Sequence, residues 1–272
     1  MSSNVIDGLE LVSPVYQVNS PWEQDLNRIF TTINASFNLK HSVQCATHIH
    51  ISRFPTPLSA NDLAALGKAA LYYESALDRL VPEHRLGRTN KAYWARSNRL
   101  VPLFVGLSLS ECHARIDDAA TATGGMTPAS EAYPVVQAMN LFPVNSVRGS
   151  SHRKQEDFIR GKGYKWDFTG MLSAQEYDPK EGGGRGTVEF RQPPGSMTAV
   201  DAETWTKLTV AFVVGVLDVG PMLGKGKFNE DGASLDDLWM LLVQGGKAVG
   251  WEDLGLLEGL LGRAGKVKLG AK

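Results

Sequence analysis

Alternation of polar and apolar positions is clearest over Ser42–Ser52. Val43, Cys45, Thr47, Ile49 and Ile51 fall on one side, and Gln44, Ala46, His48, His50 and Ser52 on the other. This period of two predicts a strand with both histidines on one face and Cys45 as a small buried hydrophobe on the opposite one. Gly186–Gln192 repeats the pattern after a Gly182-Gly183-Gly184 turn: Thr187, Glu189 and Arg191 share a face, and Val188 and Phe190 the other. Asp7–Ser13, ended by Pro14, reads as a short strand that places Glu10 opposite Leu9 and Leu11. Lys165–Met171 reads as a further strand.

Helical spacing governs the rest. Ser20, Pro21 and Glu23 predict a capped helix start, with Ile29, Ile33 and Phe37 on its apolar stripe. Ser59 and Asp62 cap a second helix, in which Leu63, Leu66, Ala70, Tyr73, Leu77 and Leu80 recur until Pro82. Ser108–Ala120 and Ala129–Ala138 are helix candidates. Asp201 caps a helix running to about Leu217, and Ser234 with Asp237 caps another that Gly245-Gly246 ends. Glu83–Asn98 reads as a basic, aromatic loop. The fold class is α+β.

Charge and cysteine usage narrow the function classes. Lys and Arg number 28 and Asp and Glu 29, a net charge of −1, which gives no electrostatic reason to expect nucleic acid or an anionic membrane as partner. The most apolar window, Leu208–Leu217, is short of the roughly 20 residues of a membrane span. Met1–Val12 shows no secretory signal, and two cysteines make no disulfide scaffold, so a cytoplasmic location is expected. Of the 28 glycines, 13 fall between Gly215 and Gly270, which sets apart a helical, glycine-rich extension, 221–272, packed on a main domain, 1–220. There Leu235, Leu238, Leu241 and Leu242 suit a homo-oligomeric contact as well as the chain's own core.

The candidate chemistry sits on the polar strand faces: Glu10, His48 with His50, and Glu189 with Arg191. As neighbours in one sheet they would converge. Two carboxylates and an imidazole, Glu10, Glu189 and His48, suit a divalent cation. An arginine beside them suits phosphate or carboxylate. On spacing alone, a His-x-His on a strand is more often a solvated sheet face than a metal site, and Glu189 with Arg191 could simply form a surface ion pair.

Taken together and in order, Leu9–Pro14 (LELVSP), Cys45–Ser52 (CATHIHIS), Tyr72–Arg85 (YYESALDRLVPEHR) and Gly186–Gly195 (GTVEFRQPPG) resemble the putative amidoligase family. This is a branch of the carboxylate–amine ligases related to glutamine synthetase and glutamate–cysteine ligase. The resemblance implies a glutamine-synthetase-like catalytic fold, with a curved, mainly antiparallel sheet forming the active site and helices on its outer face. It implies ATP- and Mg²⁺-dependent joining of a small-molecule carboxylate to an amine through an acyl phosphate. His48 and Glu189 would hold the metal, His50 would lie near the nucleotide, and Arg191 would contact phosphoryl oxygens. Glu10 would be a third acidic ligand or would orient substrate. Tyr73 and Arg85, with Tyr93 and Arg96 of the basic loop, complete the substrate-binding candidates, Tyr93 and Trp94 forming a lid. The family pattern opens with a strand bearing a Gly-x-Glu-x-Glu-like run, whereas this sequence starts close to the strand of Glu10, so fewer carboxylates are expected. That shortage favours two alternatives: an ATP-independent enzyme forming, cyclising or cleaving amides with His48 and His50 as acid and base, and a non-catalytic binding protein.

Overall fold

The computed structural model describes residues 10–88, 94–122, 131–142, 158–172, 184–221 and 228–265. It is mixed α and β: helices α1 (Trp22–Ser36), α2 (Ala60–Tyr72), α3 (Glu74–Asp78), α4 (Leu109–Thr121), α5 (Tyr133–Asn140), α6 (Ala199–Val219), α7 (Leu235–Ala248) and α8 (Gly255–Ala264), with strands β1 (Ile49–Ile51), β2 (Leu141–Phe142), β3 (Phe158–Ile159), β4 (Trp166–Asp167) and β5 (Val188–Phe190). β2 and β3 form a two-stranded pair, and β1, β5 and β4 an antiparallel sheet with β5 in the middle.

The three-stranded sheet carries the site, and its register sorts the side chains. Ile49, Phe190 and Trp166 are aligned on one face, and His50, Glu189 and Asp167 on the other. The first face enters the core: Trp166 stacks on Phe190 at 4.4 Å and on Phe212 of α6 at 5.2 Å between ring centroids. Burying aromatic surface on one side while leaving the other polar fixes the register, because a one-residue slip would exchange the faces.

This sheet is smaller than expected, and β1 is shorter than the alternating run that contains it. Upstream of Ile49 the chain lies against Pro193 and Pro194, which have no N–H to donate, so pairing there is reduced to a bridge at Ala46 and a bond from the Thr47 N–H to the Pro193 carbonyl. Cys45 is consequently exposed, not buried. Lys165–Met171 yields only the two residues of β4 before a 3₁₀ turn over Thr169–Met171.

Capping boxes start four helices, at Ser59–Asp62, Ser108–Glu111, Thr198–Asp201 and Ser234–Asp237. α1 differs: Ser20 donates its hydroxyl to the Gln17 carbonyl at 2.7 Å, and the expected cap does not form. α2 breaks at Tyr73 instead of running to Leu80. Gly245 and Gly246 lie inside α7, not at its end. A Cβ on Gly245 would overlap the Ala211 carbonyl, so this glycine permits the close crossing of α6 and α7. Leu235, Leu238, Leu241 and Leu242 are buried in the chain's own core, as are Leu257 and Leu261 of α8. Among the described residues no helix is long and apolar enough to cross a membrane.

Candidate functional site

The polar face of the sheet gathers four of the expected residues around one atom. Oε1 of Glu189 lies 2.5 Å from the Arg191 guanidinium, 3.2 Å from His48 Nδ1 and 3.4 Å from His50 Nε2. Arg191 reaches it because residues two apart on a strand share a face. His50 reaches it as its direct cross-strand partner. The other ring nitrogen of His50 lies 3.4 Å from the Thr187 hydroxyl. Glu189 and Arg191 are buried, whereas His48 and His50 are 35% and 53% exposed, so the imidazoles form the accessible rim of a buried ion pair.

The electrostatics give His48 a distinct state. Burial, then the Arg191 charge, pushes its pKa down to about 4, although Glu189 pulls the other way. His48 is therefore neutral near pH 7. With its proton on Nδ1, the nitrogen 3.2 Å from Glu189 Oε1, the neutral imidazole would leave the Nε2 lone pair as a base. The Arg191 N–H groups not used on Glu189 have no protein acceptor among the described residues, so they remain donors for an anionic group.

Arg85 has a different place from the one expected. It is buried, and its guanidinium donates to the carbonyls of Arg191 and Gln192. Burial and the nearby Arg191 charge lower its pKa to about 10. Arg85 thus clamps the backbone that carries Arg191 and adds positive charge behind the site. Tyr73 is not brought to the sheet's polar face: it is fully buried, edge-on to Phe212 at 5.6 Å. Arg96 is also buried, with its guanidinium 5.1 Å from the Phe142 ring centroid, where stacking on aromatics replaces water. Glu10 is exposed outside any strand, and among the described residues no bond ties it to His48 or Glu189. Tyr93 lies outside the described residues, and Trp94 is 48% exposed.

Sequence reasoning missed two groups next to this face. Asp167, the other cross-strand neighbour of Glu189, is buried and accepts bonds from the Thr169 N–H at 2.7 Å and hydroxyl at 2.5 Å. Burial raises its pKa, and the Glu189 charge adds to the shift. Lys165, whose carbonyl accepts from the Arg191 N–H, sends its buried ammonium to Glu74 at 2.6 Å and Asp78 at 2.5 Å. Asp78 also accepts from Gln192 Nε2 at 2.6 Å and Arg88 Nε at 2.9 Å. The alternation Lys165–Trp166–Asp167 was the available signal, since it places both charges on the face opposite Trp166.

The carboxylate-rich cation site implied by the resemblance is not matched by these donors. Among the described residues no three His, Cys, Asp or Glu side chains are placed to hold a metal ion. The Glu189 oxygen facing the imidazoles is already paired with Arg191, Asp167 is turned to Thr169, and Glu10 is not joined to them.

Residues 2–100 match the sequence model of a family described as "putative amidoligase enzyme". The match covers less than half of the chain. It contains His48, His50 and Arg85 and stops before Glu189 and Arg191. No curated protein and no solved structure matches the chain.

Proposed function

We propose that the chain is an enzyme that forms an amide bond between an activated carboxyl group and an amine on the polar face of the β1–β5–β4 sheet. The observation that carries this reading is the convergence of His48, His50 and Arg191 on Oε1 of Glu189. The family match supplies the class of bond.

An amine attacks an acyl carbon only through its neutral nitrogen, and the adduct must lose a proton. Glu189 holds the His48 ring through Nδ1, so Nε2 accepts that proton as the C–N bond forms. The leaving group departs with the electron pair of its bond to the acyl carbon. The negative charge that grows on the acyl oxygen and the leaving group is matched by the open N–H donors of Arg191, backed by the charge of Arg85. His50, more exposed and held by Glu189 and Thr187, orients the amine at the rim. The same groups would promote the reverse reaction, amide cleavage, by microscopic reversibility.

Hydroxylamine, a small amine surrogate, tests this reading. A panel of carboxylic acids with ATP and Mg²⁺, and a parallel panel of esters and amides without them, should yield a coloured iron–hydroxamate complex from at least one donor. Formation only with nucleotide would identify an ATP-dependent ligase. Formation from esters or amides alone would identify the ATP-independent enzyme. No hydroxamate from either panel would reject amide chemistry and leave the binding-protein alternative.

A further inference from the structure

A cleft of about 250 Å³ lies beside the buried Lys165 network, between the α2–α3 junction, the 3₁₀ turn Asn98–Leu100 and the segment that precedes α7. Glu74, Asp78, Arg88, Ser97, Arg99 and Asp231 contribute its polar lining. At roughly 30 Å³ per water it has room for about eight waters, or for a small organic molecule in their place.

Its charges are sorted. Glu74 and Asp78 are neutralised by Lys165 and, for Asp78, by Arg88; Ser97 donates to the remaining oxygen of Glu74 at 2.8 Å. Two charges lack an ion pair among the described residues, Asp231 and Arg99. Arg99 bonds the Leu107 carbonyl through one nitrogen at 3.3 Å, and its charge also acts on the Glu230 carboxylate and the Cys112 thiol. The neighbouring acid Glu230 is bonded to the amides of Leu109 and Ser110 at the start of α4. Both charges are held on fixed backbone. The Asp231 turn is pinned by Asn229 to Gly232 at 2.8 Å and by the Ala233 N–H to the Tyr72 carbonyl at 2.8 Å. The Arg99 turn is pinned by the Asn98 side chain, which donates to the Met139 and Trp166 carbonyls at 3.0 and 2.9 Å. A lone anion would be opposed by Asp231 and a lone cation by Arg99, whereas a molecule carrying both charges satisfies both without reorganising the walls.

From this cleft we infer a second binding site, for a small zwitterion whose acid group meets Arg99 and whose ammonium meets Asp231. The inference is independent of the amide-bond reading, because it concerns binding to residues that take no part in that chemistry.

Amide-resolved NMR titration of the full chain tests it, with glycine, β-alanine and 4-aminobutyrate as probes that space the two charges differently. Acetate and methylammonium serve as single-charge controls. At least one amino acid should saturate in the millimolar range, with both controls at least tenfold weaker. Arg99→Gln and Asp231→Asn should each weaken it about tenfold, and Glu189→Gln should leave it unchanged. Asp231 is exposed, so its variant keeps the test valid even if Arg99→Gln disturbs the 3₁₀ turn. The inference is overturned if no probe saturates, if either control binds as well as the amino acids, if Asp231→Asn binds like the parent, or if Glu189→Gln abolishes binding and so moves the ligand to the sheet.

Discussion

Replacing Lys165 with methionine removes one buried positive charge and keeps most of the side-chain volume. The ammonium is 2% exposed and serves two carboxylates, Glu74 and Asp78, which are 12% and 4% exposed. Breaking a buried ion pair from one side costs about 3–5 kcal/mol, because the remaining charge is left without a partner. Here Asp78 keeps Arg88 and Gln192, and Glu74 keeps Ser97. The expected loss therefore lies near the lower end, about 3 kcal/mol. Urea unfolding followed by tryptophan fluorescence and by circular dichroism measures it, and coincident transitions justify a two-state free energy. Lys165→Met with Glu74→Gln should be more stable than Lys165→Met alone, because Glu74 is the carboxylate left without a cation, whereas Asp78 keeps Arg88. A loss below about 1 kcal/mol, the range of a solvent-exposed pair, would refute the reasoning. So would a double variant less stable than the single one.

His113 predicts a pH dependence of stability. It is 6% exposed, packs against Tyr72 and Phe228, and faces Lys68, Asp117 and Glu230; burial lowers its pKa to about 4. Its folded pKa lies below the unfolded value, so the unfolded chain takes up the proton first as pH falls. Stability is thus full above about pH 6.5 and drops by about 3 kcal/mol toward pH 4. Urea titrations across that range should show a decline shallower by that amount in His113→Phe. Gly161→Ala would drive a methyl group into the Asp167 carboxylate, with an expected cost of about 1–3 kcal/mol and a lower thermal midpoint. Thr198→Ala removes the capping hydroxyl of α6 and should cost about 1 kcal/mol, read as a small shift in urea midpoint.

The residues that converge on Glu189 were legible because their strands alternate: His48 with His50, and Glu189 with Arg191, sit opposite side chains that had to face the core. Helix starts at Ser59, Ser108 and Ser234 were legible for a similar local reason, since a capping box is complete within four residues. Arg85 and Arg96 were not. A basic loop reads as solvated, and only long-range contacts reveal that one guanidinium ties down the chain at Arg191 while the other rests on Phe142. Tyr73 follows its helical period into the core, so the motif around it did not point to the site. Asp167 and Lys165 lie on the expected strand Lys165–Met171, but only the sheet register shows Asp167 beside Glu189, and only long-range contacts show the Lys165 ammonium turned to Glu74 and Asp78. Gly245 looked like a helix end because sequence cannot show that α6 crosses there.

The most direct measurement of the central claim is the initial rate of hydroxamate formation, on whichever donor the chain accepts, by Glu189→Gln beside Thr198→Ala. Glu189→Gln keeps the shape and removes the charge that orients His48 and pairs with Arg191, so its rate should fall by about 100-fold or more, in line with loss of a positioned acid–base group. Thr198→Ala, altered only at a helix cap, should retain the parental rate at 25 °C. Equal rates in Glu189→Gln and the parent chain would contradict the account, because amide chemistry would then proceed without the carboxylate around which the proposed site is built.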